Sequence, residues 1–179
     1  AMTTLQDGDY AQAREQFVAL DGYRESETWI QECDLQSAKA QIEKNTASSL
    51  EAAMKTLRAL GTYAGAEDAL TEANYRKACL LAGEKDYEGA IALFEDLGDY
   101  QDSVERVRAA RYQIAKGEMD NGDYESAAEK FAALGAYKDS AALKRECVYR
   151  PAKALMSQGK YDEAIEMFAE VSGYSDADE

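Results

Sequence analysis

The sequence of 179 residues contains no histidine, and this absence excludes several kinds of catalysis and metal binding. Without imidazole, neither a Ser-His-Asp triad nor a Cys-His pair can form, and histidine cannot ligate zinc or haem. The sequence also has no phosphate-binding glycine motif and no G-x-S-x-G nucleophile motif. We therefore predict a protein that is not an enzyme and that needs no cofactor or metal.

Cysteine, long apolar runs and positive charge are also scarce. The three cysteines lie far apart and are odd in number, so they cannot form a complete set of disulfides within the chain. No apolar run is long enough to span a membrane, and no signal peptide is visible. Only 20 Lys and Arg oppose 35 Asp and Glu, giving a net charge of −15, which repels phosphate backbones. These features predict a cytoplasmic segment without nucleic-acid or membrane contact.

What the sequence has in abundance is a repeat. Tyr87, Tyr124 and Tyr161 lie 37 residues apart, and the same interval separates two further sets of tyrosines. All 12 tyrosines occupy three positions of this repeat, and the four phenylalanines occupy a fourth. The first interval is longer by three residues, which we place near Asn45 in a loop between helices. The predicted organisation is one domain over 1–179, with a partial repeat 1–21, repeats at about 24–60, 64–97, 101–134 and 138–172, and the start of a further helix at 174–179.

Apolar residues within each repeat follow the period of an α-helix. From Tyr87 they continue at Ala90, Phe94 and Leu97, offsets of 3, 7 and 10 that lie on one helix face. A glycine-containing turn and a longer apolar-striped helix follow, and Gly-Asp pairs precede several of the short helices as stop and cap signals. Because one helix pair cannot bury its apolar face alone, neighbouring pairs must stack. We predict an all-α, right-handed superhelical solenoid of about nine helices.

The small alanine of the long helix, the Gly-Asp-Tyr start of the short helix and the Ala and Phe within it resemble the tetratricopeptide repeat family. Ala115, Ala127 and Phe131 are examples of these positions. The departures are the period, since that family usually has 34 residues, and a Tyr-x-Asp-Ser segment where a proline commonly closes the unit. The resemblance implies a non-catalytic scaffold that binds a peptide or a partner protein on its concave face.

In the resembling family the first helix of each pair lines the concave face, which implies a groove here. The residue after the small alanine is Lys39, Cys79, Lys116 or Lys153, and tyrosines stand one turn earlier in three repeats. The predicted groove residues are Lys39, Tyr75, Arg76, Cys79, Tyr112, Lys116, Tyr149, Arg150 and Lys153. This stripe suits an extended peptide with acidic side chains or a free C-terminal carboxylate. Alternatively, the tyrosines pack between adjacent long helices and the lysines balance nearby acids.

Two other functions are compatible with the same residues. The chain can be a regulatory or recruitment segment of a larger enzyme or membrane protein, which the full reading frame would reveal. It can also be a structural spacer that assembles with itself. Because no polar capping helix is visible at either end, we expect either that the natural protein continues or that the ends pair between molecules.

Overall fold

The computed structural model describes residues 1–178 and is all-helical, with 75% of the chain in helices. The described residues contain no β-strand. Their ten helices are α1 (Met2–Gln6), α2 (Tyr10–Val18), α3 (Ser26–Lys44), α4 (Ala47–Leu60), α5 (Ala66–Gly83), α6 (Tyr87–Leu97), α7 (Ser103–Asn121), α8 (Tyr124–Leu134), α9 (Ser140–Ser157) and α10 (Tyr161–Glu170). The prediction of an all-α fold is confirmed. The helix beyond the nine expected is α1, which is only five residues long.

The chain divides into two compact units, Ala1–Ser103 and Val104–Glu179. In the first unit each helix packs against the next, and the long helices α3 and α5 also touch each other. In the second unit α9 packs against both α8 and α10. Helix α7 joins the same core, because Tyr112 lies in one apolar cluster with Phe131 and Cys147. Helix pairs in consecutive contact are therefore the building principle of each unit.

Helix boundaries follow the stop and cap signals closely. Gly8 and Gly122 have φ of +84° and +89°, a backbone conformation that favours glycine. Asp9 then caps α2 by accepting a hydrogen bond of 3.1 Å from the Gln12 amide. Asp123 makes no such side-chain bond, so the cap predicted for α8 is not formed.

The three additional residues of the first interval lie near Asn45 as predicted, but they belong to a helix and not to the loop. Helix α3 ends at Lys44, and Asn45 follows in a left-handed conformation. Thr46 and Ser49 then form a reciprocal capping box at the start of α4, which satisfies two amides of its first turn. The loop 45–46 is no longer than the loop 122–123, whereas α4 has 14 residues and α6 and α8 have 11, so the insertion lengthens the start of α4 and leaves the apolar register after Leu50 intact.

The core contains the residues that the repeat predicted. The phenylalanine position is almost fully buried at Phe94 and Phe131, with 1% and 0% exposure. Cys33 and Cys147 are buried where Ala73 and Ala110 stand in other repeats, and Cys79 is partly exposed. The last described residues, 171–178, form turns, and residue 179 of the predicted further helix lies outside the described part of the chain. No described helix combines the length and apolar character required to cross a membrane.

Candidate functional site

The long-helix tyrosines of the predicted groove are buried, and their hydroxyls are used within the protein. Tyr75, Tyr112 and Tyr149 are 9%, 7% and 8% exposed. Each donates its hydroxyl proton to an aspartate 27 residues later, at the start of the next long segment. The acceptors are Asp102, Asp139 and Asp176 respectively, and the Tyr112–Asp139 bond is 2.6 Å long.

Aromatic packing fixes the orientation of these buried rings. Tyr112 meets Phe131 edge to face at a centroid separation of 6.0 Å and Tyr137 at 5.9 Å. Tyr75 and Tyr149 make the corresponding pairs in their own repeats. Such pairs contribute roughly 0.5–1.5 kcal/mol each beyond the burial of their area. The long-helix tyrosines therefore pack as part of the core.

The hydrogen bonds to aspartate also change acid strength. The bond to Asp139, followed by burial, raises the pKa of Tyr112 to about 12. At the next repeat, the Tyr149 hydroxyl and then Lys153 lower the pKa of the Asp176 carboxyl. The tyrosine–aspartate bond thus favours the neutral phenol at Tyr112 and the ionised carboxylate at Asp176.

A second set of bonds links the tyrosine of each turn to a glutamate on the preceding long helix. Tyr100 donates to Glu72 at 2.9 Å, and Tyr174 donates to Glu146 at 2.8 Å. Tyr63 makes the same bond to Glu32, with three more residues between the partners because of the insertion near Asn45. An arginine one turn later on the same helix also binds the glutamate in two repeats. Arg76 lies 2.6 Å from Glu72, and Arg150 lies 2.7 Å from Glu146.

The charged residues of the predicted groove lie beside these hydrogen-bonded tyrosines, which together with their acidic partners we call the framework. Lys153 binds the Tyr149 hydroxyl at 2.7 Å and Asp176 at 3.0 Å. Lys116 is exposed, with its Nζ 6.0 Å from the centre of the Tyr112 ring. The structure therefore brings each lysine to the tyrosine of its own helix, one turn away as expected.

The remaining groove residues lie in the first unit. Arg76 bonds to Glu43 as well as Glu72, and it also donates to a backbone carbonyl of α3. Lys39 is exposed and lines a small cavity of about 260 Å³ together with Glu43 and Glu72. Binding of a peptide by the predicted groove stays a prediction.

A larger cavity that the sequence reasoning missed lies between α7 and α8, with a volume of about 720 Å³. Its lining residues are Arg108, Arg111, Ile114, Lys130, Ala133, Leu134, Ala136, Tyr137 and Lys138. The lining that the structure describes thus includes four cations and no aspartate or glutamate. In a chain of net charge −15, this is a local reversal of sign. We call it the basic cavity.

The cations of the basic cavity differ in how strongly acids inside the protein hold them. Lys130 is tightly paired, with its Nζ 2.6 Å from Glu118. Arg108 is 3.9 Å from Glu105 in a pair that is more than half exposed, a geometry that contributes little. Lys138 instead lies against ring faces, with its Nζ 4.8 Å from the centre of Tyr112 and 5.2 Å from that of Tyr137. Arg108 and Lys138 are therefore placed to meet an anion.

The same place in the next repeat shows what is particular to the basic cavity. A smaller cavity of about 440 Å³ lies there between α9 and α10. Arg145 repeats Arg108, but Val148 replaces Arg111 and Glu170 replaces Ala133. The neighbouring cavity therefore has fewer cations and an acid of its own.

The sequence did contain a signal for the basic cavity. The residues 37 positions before its cations are Thr71, Asn74, Leu93 and Gln101, none of which carries a charge. Comparing the repeats for charge as well as for apolar residues would have shown four cations gained in one repeat. The cations come from α7, α8 and the following turn, so only the fold shows that they converge.

Comparison of the chain with family models, with curated proteins and with solved structures finds no match. The tetratricopeptide-like assignment therefore remains a prediction from the repeat, and function has to be argued from the site. Among residues 1–178, no three or more cysteine, aspartate and glutamate side chains are grouped as a metal site would require.

Proposed function

We propose that this chain is a non-catalytic binding module that holds an acidic segment of a partner protein. The observation that carries the proposal is the basic cavity, which is lined by four cations in a strongly acidic chain and in which Arg108 and Lys138 are not tightly paired with an acid. Such a surface attracts negative charge locally, whereas the rest of the protein repels it, which favours one binding position over many. An acidic peptide supplies the negative charge that the cavity attracts. Because it carries less charge than a nucleic acid, the acidic remainder of the protein repels it less.

The proposal includes the fold that the repeat predicts, a right-handed solenoid related to tetratricopeptide repeats. Consecutive helix contacts within each unit support it, as does the contact between the long helices α3 and α5. The tyrosine bonds support it further, since they join each long helix to the turn after its short partner. A frame cross-linked in this way presents a surface that needs little ordering on binding.

The test measures binding of a fluorescein-labelled, glutamate-rich peptide by fluorescence anisotropy, with the glutamine version of the peptide as its control. The protein variant is Arg108→Glu combined with Lys138→Glu. We expect the double variant to bind roughly tenfold or more weakly, because two attractive charges become repulsive. The affinity of the unaltered protein should fall as salt is added, since exposed charges are screened.

A matched control uses the neighbouring cavity. Lys144→Glu combined with Arg145→Glu changes the net charge by the same amount in the same unit. This control should retain most of the affinity. Equal losses in the two double variants would contradict the proposal, because net charge rather than the basic cavity would then decide binding.

A further inference from the structure

One repeat lacks a carboxylate that the other described repeats use. Glu72 accepts hydrogen bonds from two consecutive residues of the following turn, from Tyr100 at 2.9 Å and from the Gln101 side chain at 3.0 Å. Glu32 and Glu146 occupy the same position and accept from Tyr63 and Tyr174. In α7 this position is Ala109.

The donors that face the carboxylate are nevertheless retained. Tyr137 and Lys138 correspond to Tyr100 and Gln101, and both line the basic cavity. Lys138 is also a stronger partner for an anion than the glutamine it replaces, because its hydrogen bonds carry a full charge. The repeat around α7 thus has two donors arranged for a carboxylate, and no carboxylate at that position.

We propose that a glutamate or aspartate side chain of the bound segment occupies the place of this missing glutamate. This carboxylate accepts a hydrogen bond from the Tyr137 hydroxyl and forms an ion pair with Lys138, and Arg108 adds positive charge beside them. The inference rests on the proposed function and makes it specific, since it names the group that anchors the partner. A carboxylate is favoured over a phosphate because three repeats fill the same position with a carboxylate.

Contacts with aromatic rings hold the two donors of the anchor, although Tyr137 is only half-buried and Lys138 is exposed. The Tyr137 ring packs against the buried Tyr112, so the hydroxyl is held in place before the ligand arrives. The Nζ of Lys138 lies 4.8 Å and 5.2 Å from the centres of the Tyr112 and Tyr137 rings. Pre-organised donors lose less side-chain entropy on binding than free surface side chains do.

The decisive variant is Ala109→Glu, which restores the glutamate of the other repeats. The new side chain should take the Tyr137 and Lys138 donors for itself, raising the melting temperature and weakening binding of the glutamate-rich peptide by roughly tenfold or more. The control Ala132→Glu adds the same charge on α8, about 160° around the helix from Lys130. It should leave the affinity nearly unchanged.

Further peptides distinguish a side-chain carboxylate from a C-terminal carboxylate and from a phosphate. An amidated peptide should bind as well as one with a free C-terminus, and a peptide with phosphoserine in place of glutamate should bind more weakly. Stronger binding of the phosphopeptide would overturn the carboxylate assignment. Tyr137→Phe removes only the hydroxyl and should weaken binding about threefold to tenfold, which tests the anchor even if Ala109→Glu fails to fold.

Failure of this inference can be told apart from failure of the proposed function. If Ala109→Glu and Tyr137→Phe both keep full affinity while Arg108→Glu with Lys138→Glu loses it, the basic cavity binds the peptide but the anchor is wrong. If all of these variants bind like the unaltered protein, the basic cavity is not the binding surface and both proposals fail.

Discussion

The phenylalanine position should control the stability of the second unit, and Phe131→Ala measures this. Phe131 is 0% exposed and packs with Tyr112, Ala127 and Cys147 in one cluster. Removing a fully buried aromatic ring generally costs roughly 3–5 kcal/mol, which includes the cavity left behind. The lost edge-to-face pair with Tyr112 is part of that figure.

Cys147→Ala provides the contrast at another buried position of the same cluster. Cys147 is 2% exposed, but the substitution removes only one heavy atom. Alanine already fills the corresponding place at Ala73 and Ala110, where it is also buried. The expected loss is therefore about 1 kcal/mol, close to the value for one methylene group.

Urea unfolding followed by far-ultraviolet circular dichroism measures both losses. The midpoint should fall much further for Phe131→Ala than for Cys147→Ala, with little change in the dependence on urea. Phe168→Ala serves as a second control, because the same repeat position is only partly buried in α10. Similar losses for Phe131→Ala and Cys147→Ala would refute the assigned core register.

Two further predictions concern pH and the predicted groove. The pKa of Tyr112 is raised from 10 to about 12 by its bond to Asp139, so its contribution to stability is complete below pH 10 and is lost as the pH rises from about 10 through 12. Urea unfolding at several pH values should show this decline, and Tyr112→Phe should show a weaker one. Lys116→Glu combined with Lys153→Glu tests the predicted groove with the same acidic peptide, and the affinity should fall less than for Arg108→Glu with Lys138→Glu, because neither lysine lines the basic cavity. A loss as large as that of the basic-cavity variant would place the peptide in the predicted groove, and unchanged affinity with unchanged salt dependence would exclude the groove from the binding surface.

The helices could be predicted because their signals are local. Helices α6 and α8 begin at Tyr87 and Tyr124 and end at Leu97 and Leu134, which are the first and last apolar positions of the predicted pattern. The 3.6-residue period identified the buried face, and glycine marked the turns. None of these signals requires knowledge of which helices touch.

The partners of polar groups could not be predicted in the same way. Asp139 precedes α9 at a position where an aspartate commonly caps a helix, yet it makes no side-chain cap bond and accepts from Tyr112 instead. Capping and tyrosine binding require the same residue at the same place, so local sequence does not distinguish them. The constant spacing of 27 residues between tyrosine and aspartate was the long-range signal that could have done so.

Repetition itself separates the framework from the binding surface. Positions that recur, such as the buried tyrosines and their aspartates, have their hydrogen bonds satisfied inside each unit and leave little for a ligand. The repeat around α7 departs from its neighbours by losing a glutamate at Ala109 and gaining cations at Arg108, Arg111, Lys130 and Lys138. Loss of the glutamate removes a negative charge and each new cation adds a positive one, so both changes make the cavity more positive. Changes at separate places in the sequence that meet in one cavity and share one sign are what selection for an anionic ligand would produce.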